Sequence, residues 1–135
     1  MSDPTPVLDA LGASPYLSLT TFKKDGTAVA TPVWVVRDGD HLYVSTDATS
    51  GKAKRLRNSG RVLLAPCDMR GRFEPPQVEG TARVLQDPSD VDAVRDRIKG
   101  RFGLQYRLAT LGAALRRRQE PQVGLEITLA PPSPA

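Results

Sequence analysis

Two Asp-Gly pairs, Asp25-Gly26 and Asp38-Gly39, restrict this chain more than any other feature of its sequence. Glycine tolerates the positive φ that a tight hairpin needs, and each pair lies between runs that alternate apolar and polar residues. The runs are Tyr16–Phe22, residues 27–37 and residues 41–46, all rich in β-branched and aromatic side chains. Strands joined by connections this short pair antiparallel, so the sequence predicts a three-stranded meander. Pro32 has no N–H to give to a ladder and marks an edge, a bulge or a ligand-facing break in the second strand.

The segment after the third run, Ser50-Gly51-Lys52-Ala53-Lys54-Arg55-Leu56-Arg57-Asn58-Ser59-Gly60-Arg61, holds five basic residues and no acid. Ser50 has the side chain of an N-cap, residues 53–57 favour helix, and residues 58–60 are stop signals. The spacing predicts a loop, one or two helical turns and a fourth strand over residues 61–68. Free N–H groups at that helix start, with Lys52 and Lys54 beside them, suit a phosphate or a carboxylate. A solvated connector whose cations serve solubility is the competing reading.

Residues 7–11 form a short helix ended by Gly12, residues 69–76 a loop, and residues 77–86 a fifth strand. Asp87-Pro88-Ser89-Asp90 opens a helix with Asp87 or Ser89 as its cap. Val91, Val94, Ile98 and Phe102 give that helix one apolar face, and Gly100 and Gly103 break it. Leu104, Leu108, Leu111 and Leu115 form a second amphipathic helix ending at Arg116-Arg117-Arg118, and residues 123–129 a last strand. Six strands with peripheral helices predict a mainly β architecture, a small barrel whose closure removes exposed sheet edges. A length of 135 residues implies one domain, 1–135, with loose termini.

Composition narrows the chemistry. A single cysteine, Cys67, rules out an intrachain disulfide and a Cys-rich zinc site, and a single histidine, His41, speaks against a His-based metal site or a serine–histidine triad. The expectation for metals is none. His41 reads as a strand-end residue and Cys67 as a small strand residue without an activating histidine. A net charge of +4, carried mostly by arginine, suits an acidic partner such as a nucleotide-like cofactor. No leader segment and no apolar run of about 20 residues are visible, which makes the cytoplasm the expected location and a membrane an unexpected partner. The basic stretch contains no aromatic residue for base stacking, so nucleic acid is not expected either.

Read together, Tyr-Leu-Ser-Leu-Thr-Thr-Phe, Ala-Thr-Pro-Val-Trp-Val-Val, Leu-Tyr-Val-Ser-Thr, Ser-Gly-Lys-Ala-Lys-Arg-Leu-Arg-Asn, Arg-Val-Leu-Leu-Ala-Pro-Cys-Asp and Val-Glu-Gly-Thr-Ala-Arg-Val resemble a known superfamily. It is the pyridoxamine 5′-phosphate oxidase-like (PPOX class) split β-barrel superfamily, and within it the actinobacterial branch that uses the deazaflavin F420. The resemblance spans residues 8–130 and implies a six-stranded antiparallel split β-barrel of the FMN-binding type. It further implies a homodimer with F420, or alternatively FMN, at the subunit interface. Carried over by position, Thr46, Ser50, Gly51, Lys52 and Lys54 would hold the phosphate, with Arg55 and Arg57 as further contacts on the same helix. Thr31, Pro32, Val33 and Trp34 would line the ring. Trp34 has a second reading as core or dimer interface. Ala65, Pro66 and Cys67 would meet the second subunit. Lys23, Lys24, Arg70 and Arg72 would suit the polyglutamate tail that F420 has and FMN lacks, or serve solubility alone.

The activity that follows from the resemblance is hydride transfer from reduced F420 to an electron-poor double bond of a small-molecule substrate. Asp47, Asp68, Glu74 and Glu79 are carboxylates that could donate the accompanying proton, and no spacing selects one of them, so the catalytic residue stays unknown. The alternatives are an FMN-binding oxidoreductase of the same fold, a flavin- or haem-type binding protein without turnover, and, last, a basic nucleic-acid-binding barrel.

Overall fold

A computed structural model describes residues 5–73, 77–104 and 122–129. The elements run α1 (Thr5–Ala13), β1 (Tyr16–Phe22), β2 (Ala28–Val33), β3 (Val36–Asp38), β4 (His41–Asp47), α2 (Gly51–Asn58), β5 (Arg61–Cys67), β6 (Val78–Leu85), α3 (Pro88–Phe102) and β7 (Gln122–Leu129). Both glycine turns are present. Gly26 adopts φ 90° and its N–H donates to Lys23 O at 2.9 Å, which sets the β1–β2 register from Phe22 opposite Ala28 to Leu17 opposite Val33. Gly39, at φ 62°, turns β3 into β4 so that Asp38 faces His41.

The seven strands form one antiparallel sheet in the order β2-β1-β5-β6-β7-β4-β3. The expected six become seven because the second strand divides. Its break falls at Trp34 and Val35, not at Pro32, which stays paired opposite Ser18 on the edge strand β2. This corrects the three-stranded meander: β2 pairs with β1, β3 pairs with β4, and the two halves lie at opposite edges of the sheet. The sheet curls until these edges meet in one continuous segment. The barrel is thus split in its hydrogen bonding and joined by its covalent chain.

Side-chain alternation continues through the break. Val33 and Val35 turn inward and Trp34 and Val36 outward, so the inner face is one apolar core with Leu17, Leu19, Leu42, Val44, Leu64, Leu125 and Ile127. Outside β4, β6 and β7, helix α3 lays Val94 and Ile98 on Tyr43 and Leu85, with Trp34, Val36 and Phe102 at the margin. Asp87 caps α3 by accepting the Ser89 N–H at 2.9 Å. Gly100 lies inside the helix and does not break it; Gly103, at φ 49°, ends it. Of the amphipathic helix expected from Leu104 to Arg118 only Leu104 is described, and it is exposed; the rest of that helix and the loop residues 74–76 lie outside the described residues.

Candidate functional site

One end of the barrel brings some of the sequence-selected positions together, namely Pro32, Val33, Trp34, Thr46 and Lys52. Tyr16, Pro32, Val33, Trp34, Ser45, Thr46 and Lys52 line an open cleft of 280 Å³. The Gly26 turn fixes the register that brings Tyr16 of β1 to the end of β2, β4 adds Ser45 and Thr46, and α2 enters immediately after β4. At its start, Ser50 Oγ accepts the Ala53 N–H at 3.1 Å and the Thr46 hydroxyl at 3.3 Å, and Ser50 O takes the Lys54 N–H at 3.1 Å. Gly51 N–H and Lys52 N–H keep no partner among the described residues. These are the first-turn donors that an α-helix leaves free.

Lys52 is half-buried at the mouth of that turn. Burial, reinforced by the neighbouring Arg55 guanidinium and opposed by Asp47, holds its ammonium below the usual lysine range. Its amine forms no ion pair among the described residues. The other cations of α2 point elsewhere. Arg55 Nε donates to Thr21 Oγ1 at 2.6 Å, and its guanidinium folds back over Gly51, where a Cβ would stand 2.7 Å from Arg55 Nη1. Glycine at 51 therefore makes room for Arg55. Arg57 Nη1 donates to Ala48 O at 3.1 Å, while Lys54 is exposed and lies outside the cleft lining. Thr31, opposite Leu19 and half-buried, shares the inner face with Val33 and is not part of the lining.

Trp34 stands between the cleft and α3. Its indole borders the cleft and also stacks on Phe102 of α3, with centroids 4.8 Å apart and planes 13° apart. Two lining residues, Tyr16 and Ser45, were not selected from the sequence. Counting back along the hairpin from the Gly26 turn would have placed Tyr16 beside Trp34. Ser18 was also missed: its hydroxyl, directly across from Pro32, is buried without a hydrogen-bond partner among the described residues.

A model of the family described as pyridoxamine 5′-phosphate oxidase matches residues 6–130. The chain belongs to the pyridoxamine 5′-phosphate oxidase family. Solved structures with the same fold include a conserved hypothetical protein, Rv2991, from Mycobacterium tuberculosis, at TM-score 0.70 and 20% identity over 97% of this chain and 82% of that one. An F420 reductase aligns at TM-score 0.60 and 18% identity over 91% and 92% of the two chains. HutZ, the haem storage protein of Vibrio cholerae, aligns at TM-score 0.66 and 12% identity over 97% and 92%. No curated protein matches the sequence.

Three of the carboxylates singled out from the sequence have partners within the fold. Asp68 accepts the N–H groups of Arg70 and Arg72, both at 2.9 Å, and Arg72 Nε at 2.8 Å, which keeps its carboxyl below the usual range. Glu79 pairs with Arg61 at 2.7 Å, and Asp47 accepts the Gln122 amide. Glu74 lies outside the described residues. His41 meets Thr128 Oγ1 at 3.1 Å at the strand end, apart from the cleft. Burial and the Asp68 charge push the Cys67 thiol up, away from the reactive thiolate. Among the described residues there is no cluster of three metal-ligating side chains, and no helix is long and apolar enough to cross a membrane.

Proposed function

We propose that this chain is an F420-dependent oxidoreductase acting on a small molecule with an electron-poor double bond. The observation that carries this reading is the convergence, in one cleft, of the Lys52 ammonium with the Pro32-Val33-Trp34 wall. The donor set fits a phosphate. The free Gly51 and Lys52 N–H groups, the Ser50 hydroxyl, which accepts from Thr46 and keeps its own proton to donate, and the Lys52 ammonium supply hydrogen bonds and positive charge at a helix start. Tyr16, Pro32, Val33 and Trp34 offer a partly apolar wall for a flat ring. When bound, reduced F420 supplies the hydride, and the protein's part is to bind, orient and exclude water. Among the described residues no carboxylate or histidine lines the cleft, so the proton that completes the reduction comes from solvent in this scheme.

The cleft is shallow in a single chain, and in this reading a second copy completes it as a homodimer beside Cys67, which lies opposite Tyr16, and the exposed Pro66, whereas Ala65, expected at that contact, is fully buried. FMN is the second reading, because a phosphate held at α2 does not by itself distinguish the two cofactors. A haem with a histidine ligand is disfavoured, since His41 lies outside the cleft.

The deciding experiment is a parallel fluorescence titration of the purified protein with F420 and FMN at moderate salt. Tight F420 binding with weak FMN binding is the expected result, followed by turnover of enoate substrates with reduced F420. Preference for FMN would replace the cofactor in this reading, and binding of neither would remove it.

A further inference from the structure

The cleft depends on the strand break at Trp34 and Val35, two residues that belong to no ladder. A carbonyl released from a ladder near the core must find another donor. Here the donor is Arg101, at the last turn of α3. Its Nη1 donates to Val35 O, and its Nη2 donates to Ser14 O at 2.8 Å. Ser14 stands two residues before Tyr16, and Val35 one residue after Trp34. A single planar guanidinium therefore ties together the backbone roots of the Tyr16 and Trp34 walls. The fixed fork of arginine suits two carbonyls at once in a way that a lysine does not. The next residue, Phe102, stacks on the Trp34 indole and sets its tilt.

We propose that Arg101 is a positioning residue for the cofactor cleft, fixing the separation of its Tyr16 and Trp34 walls from behind without touching the ligand. This rests on the cofactor reading above, and the arginine-rich helix that carries it acquires a role other than general charge. Arg101 is half-buried, and burial lowers its pKa, as expected for a guanidinium placed for its geometry rather than for solubility.

The test exploits Trp34, the one tryptophan of the chain. Its emission maximum and its quenching by acrylamide report on the wall directly, with no ligand present. Arg101→Met, Arg101→Lys and the same-helix control Arg97→Met are compared with the unaltered chain, all well below their unfolding midpoints. Arg101→Met should redden the emission, raise the quenching and weaken binding of F420 or FMN about tenfold, equivalent to about 1.4 kcal/mol. Arg101→Lys, which keeps the charge and can reach one carbonyl, should fall between, and it carries the test if the methionine variant does not fold. Arg97→Met should leave Trp34 and the affinity unchanged. Unaltered quenching in both Arg101 variants would overturn the proposal. Altered quenching with unaltered affinity would also overturn it, by reducing Arg101 to a structural tie. If the unaltered chain bound neither cofactor, the cofactor reading would fall and the role of Arg101 in a cofactor site would fall with it. The Trp34 signal would still show whether the wall is held by Arg101.

Discussion

Two basic helices pack on this barrel, and they use their charge in opposite ways. Along α3 the guanidiniums answer to partners within the fold. Arg95 pairs with Asp92 at 3.6 Å, Arg97 pairs with Asp38 at 2.8 Å and lies over the Tyr43 ring, and Arg101 holds two carbonyls. Along α2, Arg55 and Arg57 behave in the same manner, but Lys52 stands at a helix start with no acid paired to it among the described residues. A count of cations would rank the two helices alike. What separates them is whether the charge is already paired, and among the described cations of these two helices only Lys52 combines the lack of an ion pair with a place in the cleft lining.

The comparison breaks most easily through packing. Ile98→Ala removes a buried contact of α3 with Tyr43 and Leu85 and should cost about 2–5 kcal/mol in urea unfolding, since the cavity adds to the lost transfer energy. A change below about 1 kcal/mol would show that α3 is not held by its apolar face. Lys52→Ala should do the reverse. It leaves the unfolding midpoint near its original value and weakens cofactor binding by about 1–3 kcal/mol, the range for charge-assisted contacts. Unchanged binding would sink the phosphate assignment.

The same lysine gives a pH signature. Its amine is held below the ordinary lysine range by burial and by Arg55, and a bound phosphate favours the charged form. Affinity should therefore fall as pH rises through that lowered value, and Lys52→Arg, charged throughout, should flatten the alkaline limb. A flat profile in the unaltered chain would argue against Lys52 as a contact. Smallest is the exposed Arg97–Asp38 pair, for which a double-mutant cycle should return less than about 1 kcal/mol. A larger coupling would mean that the charge on α3 matters more than its packing.

Much of this was legible along the chain because it is local. Tyr16–Phe22 as β1, the Ser50 cap, the Asp87 cap and the helical spacing of Val91, Val94 and Ile98 all depend on residues a few positions apart. Of the three readings of Pro32, an edge, a bulge or a ligand-facing break, the structure takes the first, since β2 is an edge strand and keeps Pro32 paired opposite Ser18, while the break two residues on follows from a change of partner strand. That change is a tertiary event that no local signal announces. For the site, Thr46, Lys52 and the residues 32–34 converge as the order of elements suggested. The same spacing could not show that Arg55 and Arg57 fold back onto Thr21 and Ala48. Arg101 was invisible as a tie because its two acceptors are 66 and 87 residues away.

The unbroken alternation through Trp34 and Val35 bears on how the gene can change. Irregular connections ordinarily absorb insertions and deletions with little harm. Here, one added or lost residue would leave β2 in place and turn Val36, Arg37 and Asp38 over, sending Arg37 toward α3 and Val36 and Asp38 into the barrel, because strand faces alternate with a period of two. A two-residue step would preserve the faces but slide Val35 from under the Arg101 fork. This two-residue gap between β2 and β3 is therefore a place where the chain's length is not free to drift.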